Sequence, residues 1–188
     1  QHGGDGATDS GYLKIFTKAT GASATEKLRI HSSGVVTTPL QPAFNAYLNA
    51  STGATALSAN GTHKVAFAHE FFDQASNFNP GSGNHNFTCP AGGAGVYHFS
   101  TGVLLLGIGT GTSNCEISIK HESHHAYYGS RVDGSTGWGD SYVSLAADTH
   151  LYLDVGDVVA VYVYATEAFG IYGHSSGSST YFTGVKVA

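Results

Sequence analysis

Eleven histidines in a chain with only 11% charged residues make imidazole the first chemistry to consider. The densest run is His121-Glu122-Ser123-His124-His125. On a strand, residues four apart share a face, so His121 and His125 are expected to point together while His124 points away with Glu122. Two ligands four strand rises apart, about 13 Å, cannot share one zinc whose bonds are about 2.0–2.1 Å long. A metal would need a bend in the strand or a partner chain, with threefold symmetry turning one histidine into three. Solvated strand-end histidines are the expectation, with no metal and no cofactor.

Gly129–Asp140, GSRVDGSTGWGD, holds the single tryptophan of the chain. In such a hydrophilic loop Trp138 can stack on a sugar ring while Arg131, Asp133 and Asp140 bond its hydroxyls; otherwise it is an anchor folded back on the body. Tyr172 and His174, ahead of a Ser/Gly run, make a second candidate surface for receptor binding. Cys89 and Cys115 are either two buried thiols or a disulfide, and neither has the basic or His-lined setting of a reactive cysteine. Enzymatic motifs are missing: there is no G-x-S-x-G, no H-E-x-x-H and no phosphate-binding glycine loop between strand and helix. The acidic residues are too scattered to name an acid/base pair. No enzyme is expected.

The elements that would carry these residues are strands. The clearest stretch is Phe87–Gly107, where Tyr97, Phe99, Val103 and Leu105 fall on one face and Val96, Leu104 and Leu106 on the other. Further strands are expected near 43–49, 64–72, 86–89, 115–128, 141–153, 157–165, 168–172 and 180–187. VVAVYVYA in 157–165 is apolar on both faces, which suits a central strand or a subunit interface. Loops at 74–85, 107–114, 129–140 and 173–179 are rich in Gly, Ser and Asn. A net charge of −5 without any Lys/Arg run argues against nucleic acid as a partner. Apolar runs such as Val103–Ile108 are too short to span a bilayer as a helix, so no membrane insertion is expected. No signal peptide is visible in the chain, which begins at Gln1 without a Met anywhere and reads as a fragment or processed product.

The order F-x-C-P, a glycine, then Y-x-F around Phe87–Phe99 resembles the heart of the globular head of complement component one, subcomponent q. Phe67, Asp73 and Phe78 keep that family's spacing of aromatic, Asp/Asn and aromatic. Leu153-x-x-Gly156-Asp157-x-Val159 is similar to its L-x-x-G-D-x-V, and Phe182-Thr183-Gly184 to its closing F-T-G. Ala43-Phe44 is similar to its opening strand. Two spacings, Phe78 to Phe87 and Phe87 to Gly95, are each two residues longer than the family's usual pattern, and the collagen stalk is missing. The resemblance implies an all-β, jelly-roll β-sandwich of the tumour necrosis factor type over residues 41–188, assembled as a homotrimer.

Residues 1–40 read as a β-rich stem. Lys27–Ile30 and Val35–Thr38 flank His31-Ser32-Ser33-Gly34, a turn signal. This strand–HSSG–strand unit after GYLKIFTKATG resembles the stem of phage and prophage tail-fibre proteins. About forty residues with few apolar groups cannot bury a core alone, so partner chains are expected to order them. Together the resemblances imply an extracellular module at the end of a phage tail or virion fibre, joined to other fibre proteins through the stem. Its expected partner is a host cell-surface glycan or protein. A trimeric cap or decoration protein, or a glycan-degrading tail enzyme, are the alternative expectations.

Overall fold

The computed structural model describes residues 2–4, 11–53, 56–81, 83–109, 112–124, 126–133, 142–176 and 179–188. The chain divides into two compact units, Gln1–Gln41 and Pro42–Ala188. Apart from a three-residue 3-10 turn at Glu122–His124, every regular element of the described residues is a strand.

In the first unit, β1 (His2–Gly4), β2 (Gly11–Thr17), β3 (Thr25–Ile30) and β4 (Val36–Thr37) form one antiparallel sheet in that order. The β3–β4 turn closes through His31 N–H to Val35 O at 2.9 Å, with Gly34 at φ 83°, a left-handed conformation that glycine adopts without strain. Arg29 holds Glu26 in a two-pronged contact of 2.7 and 2.9 Å. That pairing brings the Glu26 carboxyl down to about 2, against the opposing effect of desolvation and with Lys14 adding to it. Leu13, Ile15, Phe16, Val35, Val36 and Leu40 stay exposed, and among the described residues of this unit no side chain is buried.

The second unit packs two sheets face to face. One has the order β13 (Tyr142–Leu153), β10 (Gly95–Leu106), β16 (Tyr181–Lys186), β5 (Ala43–Tyr47), β7 (His69–Asp73), with β15 (Gly170–Tyr172) also paired to β10. The other runs β12 (Ala126–Asp133), β11 (Asn114–His121), β14 (Val158–Ala165), β9 (Asn86–Thr88), β8 (Phe78–Asn79), with β6 (Thr62–Lys64) also on β14. All pairings are antiparallel, which gives the expected all-β sandwich.

An aromatic nest fills the space between the sheets. Phe44 lies 4.9 Å from Phe78 and 5.1 Å from Phe182 between ring centroids, and Phe87 lies 5.2 Å from Tyr97. These separations suit offset and edge-on ring packing. Tyr97 sends its hydroxyl out of the nest to donate to Gly93 O at 2.7 Å, so the turn after Cys89-Pro90 is fastened from inside. Asp73 Oδ2 accepts the N–H of Phe78 at 2.8 Å, which explains an acid between the two aromatics at this spacing. Both cysteines are buried and free, which resolves their two readings in favour of thiols.

Three expected boundaries move. The strand expected over 64–72 is two strands, because the chain crosses from β14's sheet to β5's between Lys64 and His69. Val65 and Phe67 are buried throughout that crossing, so the alternation continues where the strand does not. The strand expected over 115–128 ends at His121 and turns back, and the loop expected from Gly129 begins only after Asp133. Strand β14 is central, and its outward Tyr162 and Tyr164 bond Glu122 and Asn60. An interface built on an apolar outer face therefore belongs to the other sheet.

Candidate functional site

Strand register fixes the two ends of the head. Val185 pairs with Ala43, and Lys186 with Tyr97, two residues into β10. Gly95 pairs with Leu153, so the turn from β13 to β14 stands at this same end, and so does the turn after His121, which pairs with Val159. Asp133, opposite Asn114, and Tyr142, opposite Leu106, stand at the far end. The segment joining them, with Trp138 and Asp140, lies outside the described residues.

Of the residues singled out from sequence, Arg131 is exposed on β12, 3.3 Å from the less exposed Glu116. A shallow pocket of about 260 Å³ opens beside the pair, between Thr62, Asn114 and Tyr164. Asp133 ends the same strand. Tyr172 is on the other sheet, half-buried, with its ring edge-on to Tyr142 at 5.9 Å. His174 is exposed beyond it, fixed by its N–H to Leu48 O at 3.0 Å and by Nδ1 against Ser176 Oγ at 2.8 Å. Arg131 and Tyr172 thus look outward from opposite sheets.

The outer face of the β13-β10-β16-β5-β7 sheet is unusually apolar for an exposed surface. Tyr142, Tyr152, Val185, Phe71 and Phe72 are exposed on it or at its β7 edge, and Leu104 and Leu106 are half-buried. Phe71 stacks on Tyr47 at 4.4 Å. His98 and His150 face each other across β10 and β13 with rings 4.7 Å apart, and His98 pairs with Asp148.

Sequence reasoning missed a further cluster at the end of the head that carries Ala43 and Val185. Because β11 stops at His121 and the chain makes a 3-10 turn, His124 swings back over His121, rings edge-on at 4.4 Å. His121 Nε2 is 3.2 Å and His124 Nε2 3.7 Å from Asp157 Oδ2. His121 is 4% exposed. Burial alone would raise the Asp157 carboxyl. The N–H of Asp154 at 2.9 Å, the imidazoles of His121 and His124 and the Ser123 hydroxyl together outweigh it and hold that carboxyl below its ordinary range. The cluster opens into a pocket of about 410 Å³ walled by His150, Leu151, Tyr152 and Asp154. The assumption of a continuous strand concealed it. The signal available was His-x-x-His at a strand end together with the Gly156-Asp157 turn.

Two facing antiparallel sheets of this order define a jelly roll of the tumour necrosis factor type. The chain belongs to the C1q family: the C1q domain model matches residues 43–186. Among solved structures, murine APRIL at pH 8.5 is 14% identical, with a TM-score of 0.53 over 78% of this chain and 99% of that one. The Eiger TNF of S. frugiperda is 16% identical, with a TM-score of 0.51 over 79% of this chain and 94% of that one. The globular domain of zebrafish complement 1qA protein is 17% identical, with a TM-score of 0.48 over 79% and 98%. No curated protein sequence matches the chain. C1q and tumour necrosis factor-like domains are non-enzymatic binding modules that form homotrimers and are typically extracellular.

Proposed function

We propose that this chain is a homotrimeric binding head at the end of a fibre, recognising a surface glycan or protein of a host cell. The observation that carries the reading is the charge-poor outer face of the β13-β10-β16-β5-β7 sheet, where Tyr142, Tyr152, Phe72 and Val185 meet solvent in the single chain. Exposed apolar areas of this kind mark interfaces, and obligate ones resemble a core cut in half. Two neighbouring copies cover that face in a trimer.

The fibre setting rests on the stem. Its GYLKIFTKATG segment and strand–HSSG–strand repeat resemble phage tail-fibre stems, and its apolar side chains are left exposed in one chain. Other chains wrapped about the same axis would bury them. A phage tail or virion fibre, outside any cell, is the setting that favours such a stem. Three heads' worth of sites on one fibre gain avidity through effective concentration, so each site can be weak.

Recognition is assigned to the far end of the head, through Arg131, Asp133, Trp138 and Asp140, with Tyr172 and His174 as a second surface. A glycan array probed with the trimer, beside adsorption of particles carrying it, tests this. Trp138→Ala and Arg131→Ala are expected to lose binding while the melting temperature moves little, since surface changes stay within about 0.5 kcal/mol. Full binding by both variants overturns the site. Absence of any glycan or cell binding by the wild type favours a structural cap, and release of reducing ends from host polysaccharide identifies an enzyme. Gold-labelled antibody to the head that fails to decorate fibre tips removes the fibre reading.

A further inference from the structure

We propose that His121, His124 and Asp157 form a zinc site in each head, in which three side chains of one chain bind the ion and a water completes the shell. Their candidate ligand atoms all lie within 4.8 Å of one another. Four-coordinate zinc with bonds of about 2.0–2.1 Å places its ligands about 3.3 Å apart. The separations of 3.2 and 3.7 Å from the Asp157 oxygen to the two imidazoles already approach that value. The remaining approach falls to His124, whose exposed ring stands on a turn and has room to swing.

The donor set selects the ion. Two imidazoles and one carboxylate suit zinc and its neighbours among the transition metals, whereas calcium and magnesium take oxygen ligands in larger numbers. Asp157 is held for this role by the backbone N–H of Asp154 at 2.9 Å, an outer contact of the kind that orients metal-binding carboxylates. His121 is buried, and its Nδ1 finds no hydrogen-bond partner among the described residues, so the ring is tethered through Nε2 alone. A metal ion at Nε2 is a stronger tether than one hydrogen bond. His121, His124 and Asp157 all line the 410 Å³ pocket, which is wide enough to hold the water.

The site joins two separate turns. His121 ends β11 and His124 closes the turn after it, while Asp157 belongs to the turn between β13 and β14. An ion bound to the folded chain and not to the unfolded one raises stability by mass action. The expected role is therefore a clasp that locks this end of the head. Its three ligands come from one chain, and it does not depend on the receptor reading.

The test uses the full chain, stripped with a chelator and titrated with Zn²⁺ alone by calorimetry, with the melting temperature followed in parallel. The wild type is expected to bind one Zn²⁺ per chain and to melt higher when loaded. His124→Ala, an exposed position that the fold does not need, should weaken binding by about tenfold or more and abolish the rise in melting temperature. Asp157→Asn should behave likewise, and His31→Ala, in the stem, should bind as the wild type does. Co²⁺ in place of Zn²⁺ should give the visible bands of four-coordinate cobalt, lost in His124→Ala. Unchanged affinity in His124→Ala, one ion per three chains, or equal stabilisation by Ca²⁺ each overturns the proposal.

Discussion

His124 packs edge-on against His121, ring centroids 4.4 Å apart, although one ends a strand and the other closes the turn after it. The turn is fastened at its middle residue, since Ser123 Oγ accepts the N–H of Val158 at 3.2 Å. Asp157 meets both rings from the opposite turn. One strand-end residue and two turn residues are thereby gathered at one end of a sandwich whose strands alone would keep them apart.

Asp157 is also a structural acceptor in the absence of any metal. Its carboxylate takes the Asp154 N–H within the tight turn that Gly156 makes possible at φ 91°. Asp157→Ala leaves that part-buried donor and the buried His121 without an acceptor. Urea unfolding in the presence of EDTA should show a loss of about 1–3 kcal/mol.

Gly184 closes the F-T-G motif for a steric reason. A Cβ there would overlap the ring of Phe44 and stand 2.7 Å from that of Phe99, inside the aromatic nest. Gly184→Ala is expected to destabilise the head by at least about 1–3 kcal/mol, the usual range for overpacking a core, measured by chemical denaturation.

Both thiols should be inert in the native head. Burial pushes Cys115 up from 9.0 to about 11, and burial likewise raises Cys89. Below pH 9 the Cys115 thiol keeps its proton in both states. Between about 9 and 11 the unfolded chain releases a proton that the folded chain retains, so stability falls as pH rises through that window. A disulfide-exchange reagent at pH 8 should label neither cysteine until urea is added, and Cys115→Ala should show a shallower alkaline decline.

The strands were legible wherever alternation coincided with a continuous ladder. Gly95–Leu106 and Tyr142–Leu153 pair along their whole length, and their inward residues follow period two. Reading failed where burial and pairing part company. Val65 and Phe67 keep the buried phase while the chain changes sheets, and the phase Cys115-Ile117-Ile119-His121 stops at the turn. The same cause hid the His121–His124–Asp157 cluster, since four-residue spacing on a strand separates what a 3-10 turn brings together. Of the receptor candidates, Arg131 and Tyr172 prove to be on opposite sheets, a fact no local pattern reports.

Removal of the stem tests the division at Pro42. A chain beginning there should keep its fold and its oligomeric state, because the aromatic nest lies wholly within Pro42–Ala188. The peptide 1–40 alone should be unstructured by circular dichroism, its exposed Leu13, Ile15 and Phe16 having nothing to pack against. Ordering such a segment opposes about 1–2 kcal/mol of backbone entropy per residue. A folded monomeric stem peptide contradicts this.

The outer face of the β13-β10-β16-β5-β7 sheet carries the central claim, and solution mass tests it most directly. Light scattering at micromolar concentration should give three times the 19.4 kDa of one chain, and Tyr152→Asp, at an exposed position on that face, should shift the mass toward one chain. A wild-type chain that stays at 19.4 kDa, stable and monomeric, contradicts the account.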